Sequence, residues 1–488
     1  MRVALCVIVL ALAACVHVPS RPAAPTLRSN APIDPPANPP ANPQAGAAWP
    51  EAQWWSHYAD PDLDSLISLG LASAPSLNIA GARFTTARAS VREAGANLGA
   101  KVDLEAQYQR QRLSDNGMIP PQFLGFNWYN QADLGIAASY TFDWWGRLRA
   151  AIESAVDLAR ASEAERQAAQ LELAASIADS YYGWQVDEAR LGIARERAAD
   201  TARNESIARA RVAAELDPPD VLHSAAAAAA MAREQVVGLE GSVRLRVVAL
   251  AALIGKAPHE LPALTSRPLP EVSASVPDDV GIDLLARRPD IAASRWRVEA
   301  ARRNQQSVRA EFYPDISLKG LLGVQSLHLG KLLRTESGVP SIGAAIHLPL
   351  FDAGRLKARY GGTQAQLQSA VADYDQAITT AAREVATQAT MREQLARQRA
   401  ERAQEVAEAA GATRSAQARV TAGVTDLRPL LDARQRLLDQ QDAALQLQGA
   451  ALSADIALRR ALGGGYEIDP GLRESTAREP VPTARKSP

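Results

Sequence analysis

Four short segments of the chain alternate apolar and polar residues with a period of two, which is the pattern of a β-strand with two unlike faces. Each segment is about ten residues long, the length of a tilted strand that crosses a membrane. A half-buried sheet in water gives the same alternation, so the pattern alone leaves the environment open. The predicted strands are 102–112, 131–142, 315–326 and 340–350.

Two far longer segments, 147–216 and 355–422, contain no proline and are rich in alanine, leucine, glutamate, arginine and glutamine. This composition favours helix, and each segment would form a helix of about 100 Å at the α-helical rise. Each is followed, after a turn, by a second and shorter helical segment. We therefore predict two long helical hairpins, over 147–255 and 355–463.

The same elements occur twice in the same order, which indicates an internal duplication. Residues 142–148 (FDWWGRL) are echoed by residues 351–356 (FDAGRL). Ile254-Gly255 is echoed by Leu462-Gly463, at an offset of 208 residues. These landmarks divide the folded chain into a first repeat, 49–270, and a second repeat, 271–466.

The N-terminus has the features of a bacterial lipoprotein signal peptide: a basic residue, an apolar run, and then Leu12-Ala13-Ala14-Cys15, which resembles a lipobox. We predict that residues 1–14 are removed and that Cys15 carries the lipid; the alternative is an ordinary signal peptide that contains a cysteine. Position 16 is Val rather than the Asp that holds many lipoproteins at the inner membrane, so the predicted address is the outer membrane. The proline-rich residues 15–48 then form a lipidated tether, and residues 467–488 form a flexible tail.

The outer-membrane address favours transmembrane strands, as do aromatic residues near the strand ends that resemble an interfacial girdle. Four strands cannot close a membrane barrel, since the smallest have about eight strands, and an open edge in hydrocarbon leaves backbone groups unpaired. The chain must therefore associate with copies of itself, as a dimer with about eight strands or a trimer with about twelve. The strand residues predicted to face the lumen are Asp103, Glu105, Asp133 and Lys319.

The charge balance is nearly even, with 53 Lys and Arg against 54 Asp and Glu, which argues against a nucleic-acid partner. The two cysteines are too few for a disulfide framework, and the six histidines are scattered with no HExxH motif. The sequence therefore predicts no metal site. It also predicts no enzyme activity and no cofactor other than the covalent lipid on Cys15, because no Ser/His/Asp or Cys/His set stands out.

The second repeat contains four further motifs, at residues 285–291 (LARRPDI), 310–318 (AEFYPDISL), 348–355 (LPLFDAGR) and 461–465 (ALGGG). These motifs resemble those of the TolC-like outer-membrane efflux factors, and the lipobox resembles their lipoprotein (NodT-like) branch. The resemblance implies an α+β fold: a homotrimeric, twelve-stranded transmembrane β-barrel, with four strands per chain, continued by a long periplasmic α-helical coiled-coil barrel. It also implies a passive channel that receives drugs or other small toxic compounds from a periplasmic adaptor (membrane fusion) protein and an inner-membrane RND transporter.

The resemblance also implies functional residues near the ends of the helical hairpins. In the family, a Gly at the second tip is followed nine residues later by an Asp that narrows the periplasmic gate, and Gly423 and Asp432 match that spacing. Some members carry another Asp three residues earlier, where this chain has Pro429, which does not fit a double carboxylate ring. The first tip departs from the family's Gly-centred turn. The predicted adaptor-contacting residues are Asp217, Pro218, Pro219, Gly423, Thr425 and Asp426.

The segment Arg287-Arg288-Pro289-Asp290 could be taken for a basic binding patch. We interpret it instead as a junction between two helices. Pro289 suits the first turn of a helix, and Asp290 suits its positive end.

Other functions fit parts of the same sequence. The same architecture serves type I protein secretion and metal-ion efflux, although only four methionines are present and nothing indicates a copper or silver relay. An alternative of a different class is a periplasmic coiled-coil scaffold lipoprotein that never spans the membrane. That alternative predicts no channel current.

Overall fold

The computed structural model describes residues 18–20, 26–27, 50–116, 120–272 and 287–466. The predicted signal peptide, the lipidated Cys15, most of the tether and the predicted tail lie outside the described residues. The chain divides into two compact units, each of which draws on both repeats. The first unit is Met1–Leu27, Arg83–Ser162 and Ala293–Tyr374, and the second is Arg28–Ala82, Glu163–Ala292 and Asp375–Pro488.

The described residues are mostly helical, with one four-stranded sheet. In chain order the elements are α1 (Pro61–Ser73), α2 (Pro75–Ala96), β1 (Lys101–Arg112), the one-turn α3 (Pro121–Leu124), β2 (Trp128–Phe142), α4 (Arg147–Ala213), α5 (Pro219–Ile254), α6 (Pro289–Ala310), β3 (Asp315–Ser326), β4 (Ser341–His347), α7 (Arg355–Thr421) and α8 (Arg428–Ala461). Among the described residues, no single helix has both the length and the apolar character needed to cross a membrane, whereas α1 and α2, bent by 42° at their junction, reach that threshold as a pair.

The sheet of the first unit is antiparallel throughout, in the order β1-β2-β3-β4. Its register aligns Leu104 with Ile136 and Ile136 with Leu322 across three strands. Ile316 is likewise opposite Ile346 on β4. Because opposite residues share a face, one side of the sheet is apolar across all four strands, as the period-two pattern predicted. This apolar face is exposed within the chain, with Leu104 at 72%.

Two strand boundaries differ from the sequence-based expectation. Strand β4 ends at His347 rather than near residue 350, because Pro349 has no backbone N–H for a ladder hydrogen bond. Strand β2 begins at Trp128 rather than near residue 131. Trp128 pairs with Arg112, and the guanidinium of Arg110 lies 5.4 Å from the centre of the Trp128 ring, so the β1–β2 ladder continues further than the alternation indicated.

The duplicated FD…GRL motif forms the corner between a strand and a long helix of the first unit. Asp143 accepts hydrogen bonds from the backbone N–H groups of Leu148 and Arg149, each at 3.0 Å, which satisfies free donors at the start of α4. Burial opposes ionisation of Asp143, but these hydrogen bonds outweigh it and hold its pKa below the usual value. In the second repeat Asp352 accepts from the N–H of Leu356 at 2.8 Å, so the motif is a helix cap used twice.

The core of the second unit surrounds the start of the folded chain. Trp54, in a 3-10 helix, and Leu66, in α1, are almost fully buried. They belong to one cluster with Tyr181 of α4, Ile254 of α5 and Leu452 of α8. Burial of each such side chain stabilises the fold by about 1.5–3 kcal/mol. The cluster therefore holds the 3-10 helix and α1 against α4, α5 and α8.

A buried ionic network lies beside that core. The hydroxyl of Tyr58 donates to Oδ2 of Asp455 at 2.6 Å, and Nε of Arg459 donates to the same oxygen at 2.8 Å. Arg392 contributes a third contact to Asp455, at 3.3 Å. Burial and the neighbouring Asp455 carboxylate both raise the pKa of Tyr58, so its hydroxyl keeps the proton that it donates. This network was not predicted from the sequence.

The ARRPDI and GGG motifs meet in the second unit. Helix α6 begins at Pro289, and Arg288 makes a bidentate pair with Asp290 at 2.7 and 3.0 Å. A Cβ atom on Gly463 would lie 1.7 Å from the carbonyl oxygen of Arg287, so only glycine allows this approach of the two backbones. The arginines are thus part of a structural contact, and Pro289 and Asp290 begin a helix as predicted. The residues of the predicted preceding helix, up to residue 286, lie outside the described residues.

Candidate functional site: the hairpin tips and the polar sheet face

The first hairpin tip joins α4 to α5 through a left-handed helix cap. The N–H of Glu215 donates to the carbonyl of Val212 at 3.0 Å, and the N–H of Leu216 donates to the carbonyl of Arg211 at 2.9 Å. Glu215 has a φ of 59°, in the left-handed region. Pro219 then occupies the first turn of α5, where its missing N–H costs no hydrogen bond.

The second hairpin tip, between α7 and α8, repeats this cap. The N–H of Gly423 donates to the carbonyl of Val420 at 3.0 Å, and the N–H of Val424 donates to that of Arg419 at 2.9 Å. Gly423 has a φ of 70°. The first tip was expected to depart from a Gly-centred turn; its residues do differ, but its backbone adopts the same cap with Glu215 in the glycine position.

Ion pairs surround and connect the two tips. Asp217 forms a bidentate pair with Arg211, at 2.6 and 2.9 Å, and lies 3.5 Å from Arg428 of the second tip. Arg428 also pairs with Asp426, at 2.8 and 3.0 Å. The hydrogen bonds from Arg211 and from Arg428 lower the pKa values of Asp217 and Asp426, respectively. Both carboxylates of the predicted tip set are therefore ionised and matched by arginine, while Pro218 is exposed and Thr425 is half-buried.

Asp432 lies on the second turn of α8. Its side chain is exposed, whereas Leu430 and Leu431 beside it are buried. Pro429 is accommodated at the beginning of the same helix, where a proline does not break helical hydrogen bonding. In this position the carboxylate of Asp432 is accessible from outside the chain. Its role in a gate remains a prediction.

A ladder of ion pairs, missed by the sequence-based interpretation, connects α4 to α8 above the tips. Nε of Arg434 lies 2.7 Å from Oδ2 of Asp200, and Nε of Arg190 lies 2.7 Å from Oδ1 of Asp442. Arg197 and Asp439 form a further pair between the same helices. The spacing of these charges along each helix is a signal, but it becomes informative only once α4 and α8 are known to be neighbours.

The four strand residues predicted to face the lumen lie on one face of the sheet. Asp103 is opposite Ala137, and Asp133 is opposite Gln325, whose amide donates to it at 2.7 Å. Lys319 is opposite Ser139 and Gly343 on this same face, which is mostly polar or small. Glu105 belongs to it by its pairing with Gly135. The register thus brings together all four, opposite the apolar face.

The residues that follow the predicted lipidation site dock onto the first unit. Val18 packs against a cluster that includes Phe312 and Tyr360. Arg309 donates to the carbonyl of Pro19 at 2.9 Å. Cys15 lies outside the described residues, but the chain three residues later is held against α6 and α7. Among the described residues, no group of three His, Cys, Asp or Glu is placed to bind a metal ion.

Comparisons with known proteins agree with this architecture. Residues 66–256 and 282–464 match the profile of the outer membrane efflux protein family. The chain belongs to this family. It is 32% identical, over 433 residues, to the multidrug resistance outer membrane protein MdtQ of Escherichia coli O157:H7, covering 86% of this chain and 89% of that protein.

Solved structures of outer-membrane proteins have the same fold. VceC of Vibrio cholerae matches with a TM-score of 0.75 and 33% identity, over 86% of this chain and 100% of that one. The outer-membrane channel OprN matches with a TM-score of 0.80 and 26% identity, over 92% of this chain and 99% of that one. The efflux-channel family, the fold class and the outer-membrane location predicted from the sequence are thereby confirmed.

Proposed function

We propose that three copies of this chain form the outer-membrane channel of a tripartite efflux system, which conducts drugs or other small toxic compounds to the exterior. The observation that carries the proposal is the sheet, which is apolar on one face, polar on the other and open at both edges, β1 and β4. Open edges in hydrocarbon leave backbone groups unpaired at several kcal/mol each. Closure with the edges of neighbouring copies removes this cost, and three chains supply about twelve strands.

The channel conducts passively and has no chemistry of its own. Its apolar sheet face contacts lipid, and the face with Asp103, Glu105, Asp133 and Lys319 lines the lumen. This assignment is supported by the register, which separates the two faces along every strand pair. Polar and charged side chains in a lumen stay hydrated and leave a path for polar solutes.

The hairpin tips receive a periplasmic adaptor protein, which connects the channel to an inner-membrane RND transporter. The support is the exposure of apolar residues at both tips, with Leu216 at 64% and Val424 at 70%. A protein partner that covers these side chains removes apolar surface from water, which favours binding. Asp432 supplies one carboxylate per chain to a ring that narrows the closed entrance.

The lipid on Cys15 assists insertion into the inner leaflet of the outer membrane. The docking of Val18 and Pro19 on the first unit supports this assignment, since it leaves only two residues between Cys15 and a fixed point on the protein. Anchoring by one lipidated residue is weaker than insertion of a closed barrel, so the lipid guides the chain rather than holding it.

The proposal is tested by deleting the gene for this chain in its host and measuring susceptibility to several drugs, together with drug accumulation. We expect susceptibility to rise at least about fourfold and to return to the wild-type value when the gene is restored. Purified protein should migrate as a heat-modifiable trimer and give single-channel currents in planar bilayers. A soluble or membrane-peripheral protein without channel current would overturn the proposal in favour of a periplasmic scaffold.

A further inference from the structure

The two hairpin tips share a backbone but differ at one position. Glu215 and Gly423 are equivalent in the repeat, at the offset of 208 residues, and both have a left-handed φ. Glycine adopts this conformation without strain, whereas a residue with a Cβ does so at a cost. The second tip therefore has the residue that its backbone favours, and the first tip does not.

The negative charge of Glu215 is also unfavourable where it lies. Glu215 lies two residues after Ala213, the last residue of α4, where the helix macrodipole is negative and favours a cation. Its side chain is exposed, and among the described residues no side-chain hydrogen bond or ion pair to it is found. Within the described part of the chain, no side-chain contact thus compensates for the backbone strain and the unfavourable charge of Glu215.

The other charges of the first tip are accounted for. Arg211 and Arg428 form ion pairs with Asp217 and Asp426, as described above. Asp220 lies in the first turn of α5, whose positive end stabilises it. Glu215 is the tip carboxylate without such local compensation, and it adjoins Leu216, which is exposed.

We infer that Glu215 is a specificity-determining residue for the partner of the first tip, an inference that rests on the proposed function. The partner is an adaptor that offers an apolar recess to Leu216 and a lysine or arginine to Glu215. The second tip, with Gly423 and Val424, offers a similar apolar contact without the charge. The two tips therefore differ at this position, where the first contact includes a carboxylate that the second lacks.

The direct test measures binding of the purified trimer to the purified adaptor of its host, chosen as the adaptor whose deletion abolishes efflux through this channel. Glu215→Gly should weaken binding about threefold and Glu215→Lys about tenfold at low salt, as expected for loss and reversal of one interface ion pair. Both differences should shrink at about 0.5 M salt, where exposed charges are screened. Asp220→Asn is the matched control, which removes a nearby charge and should change binding less than about twofold.

A measurement of thermal stability completes the experiment, because Glu215→Gly removes backbone strain. The variant should form trimers and unfold at the same temperature as the wild type or higher, so a loss of binding cannot be attributed to misfolding. Equal adaptor affinity of the wild type and Glu215→Gly at low salt would overturn this inference alone. A wild-type trimer that binds no adaptor would overturn the proposed function as well.

Discussion

Arg434 of α8 and Asp200 of α4 join the two helical hairpins, with Nε of the arginine 2.7 Å from Oδ2 of the carboxylate. The side chain of Asp200 is only 4% exposed, whereas that of Arg434 is 39% exposed. Glu196, one turn earlier on α4, lies 3.9 Å from the same arginine, with its side chain 63% exposed. The geometry therefore assigns Asp200 the stronger interaction and Glu196 a weak one.

Asp200→Asn should loosen the contact between α4 and α8. Removal of the charge leaves Arg434 without its close ionised partner, at a cost of about 1–2 kcal/mol. We expect a lower unfolding temperature in detergent and a larger mean conductance in planar bilayers, because the second hairpin is less firmly held. Glu196→Gln is the control and should leave both quantities near the wild-type values. If the two variants behave alike, the ladder does not hold the hairpins together.

The two faces of the sheet should differ in their tolerance of charge. Ile136→Arg or Ile346→Arg would put a charge on the apolar face, at about 2–4 kcal/mol per copy near the middle of the bilayer. Gln107→Arg adds the same charge to the polar face and is the control. We expect heat-modifiable trimers in outer-membrane fractions to be strongly reduced for the first two variants and normal for the third. Equal yields would refute the assignment of the faces.

Asp157 on α4 should make the stability of the first unit depend on pH. Burial raises its pKa to about 6, against the opposing effect of Arg160, with which it forms a 3.3 Å hydrogen bond. A raised pKa means that the folded state favours the protonated acid. Stability is therefore lost as pH rises from about 4, the value in the unfolded chain, to about 6.

Asp157→Asn removes this dependence, because the amide does not ionise. We expect the variant to be more stable than the wild type by about 1–2 kcal/mol at pH 7.5, with a much smaller difference at pH 4. Thermal unfolding in detergent at the two pH values measures both differences. A stabilisation of the same size at both pH values would show that the effect is not one of ionisation.

Lipidation is tested by metabolic labelling with a fatty acid. Cys15→Ser should abolish incorporation of the label, while trimers still form, because a closed barrel inserts more firmly than acyl chains do. Cys6 lies in the predicted signal peptide, so Cys6→Ser is the matched control and should be labelled normally. Labelling of the Cys15→Ser protein would show that the lipobox interpretation is wrong.

The regular parts of the fold follow from local patterns in the sequence. Alternation predicted the strands, and the absence of proline predicted α4 and α7. The repeated FD…GRL motif indicated equivalent positions in the two repeats, where the structure shows Asp143 and Asp352 capping the long helices. These features depend on residues near one another in the chain or on a single backbone requirement.

The long-range ionic contacts could not be predicted in the same way. Tyr58 and Asp455 are 397 residues apart, and their pairing depends on how α8 packs beside the start of the folded chain. Arg434 and Asp200 present the same difficulty, because many exposed arginines and carboxylates on these helices are chemically equivalent in sequence. Only the tertiary arrangement selects which of them meet.

The last prediction concerns the entrance of the channel. In a threefold assembly the exposed Asp432 would occur three times around one axis, near the tips of the second hairpins. Like charges that are held close repel one another, and together they attract cations. We therefore expect a small, cation-preferring conductance that multivalent cations block from the periplasmic side.

Asp432→Ala should enlarge this conductance about twofold or weaken block by a trivalent cation such as hexamminecobalt, because three negative charges leave the narrowest point together. Trimer formation should not change, since the side chain is exposed in each chain. Glu408→Ala is the control, because it removes an exposed carboxylate from α7 rather than from the second turn of α8. If Asp432→Ala retains the wild-type conductance and the wild-type cation block, Asp432 lies on the outer surface of the assembly and does not form the gate.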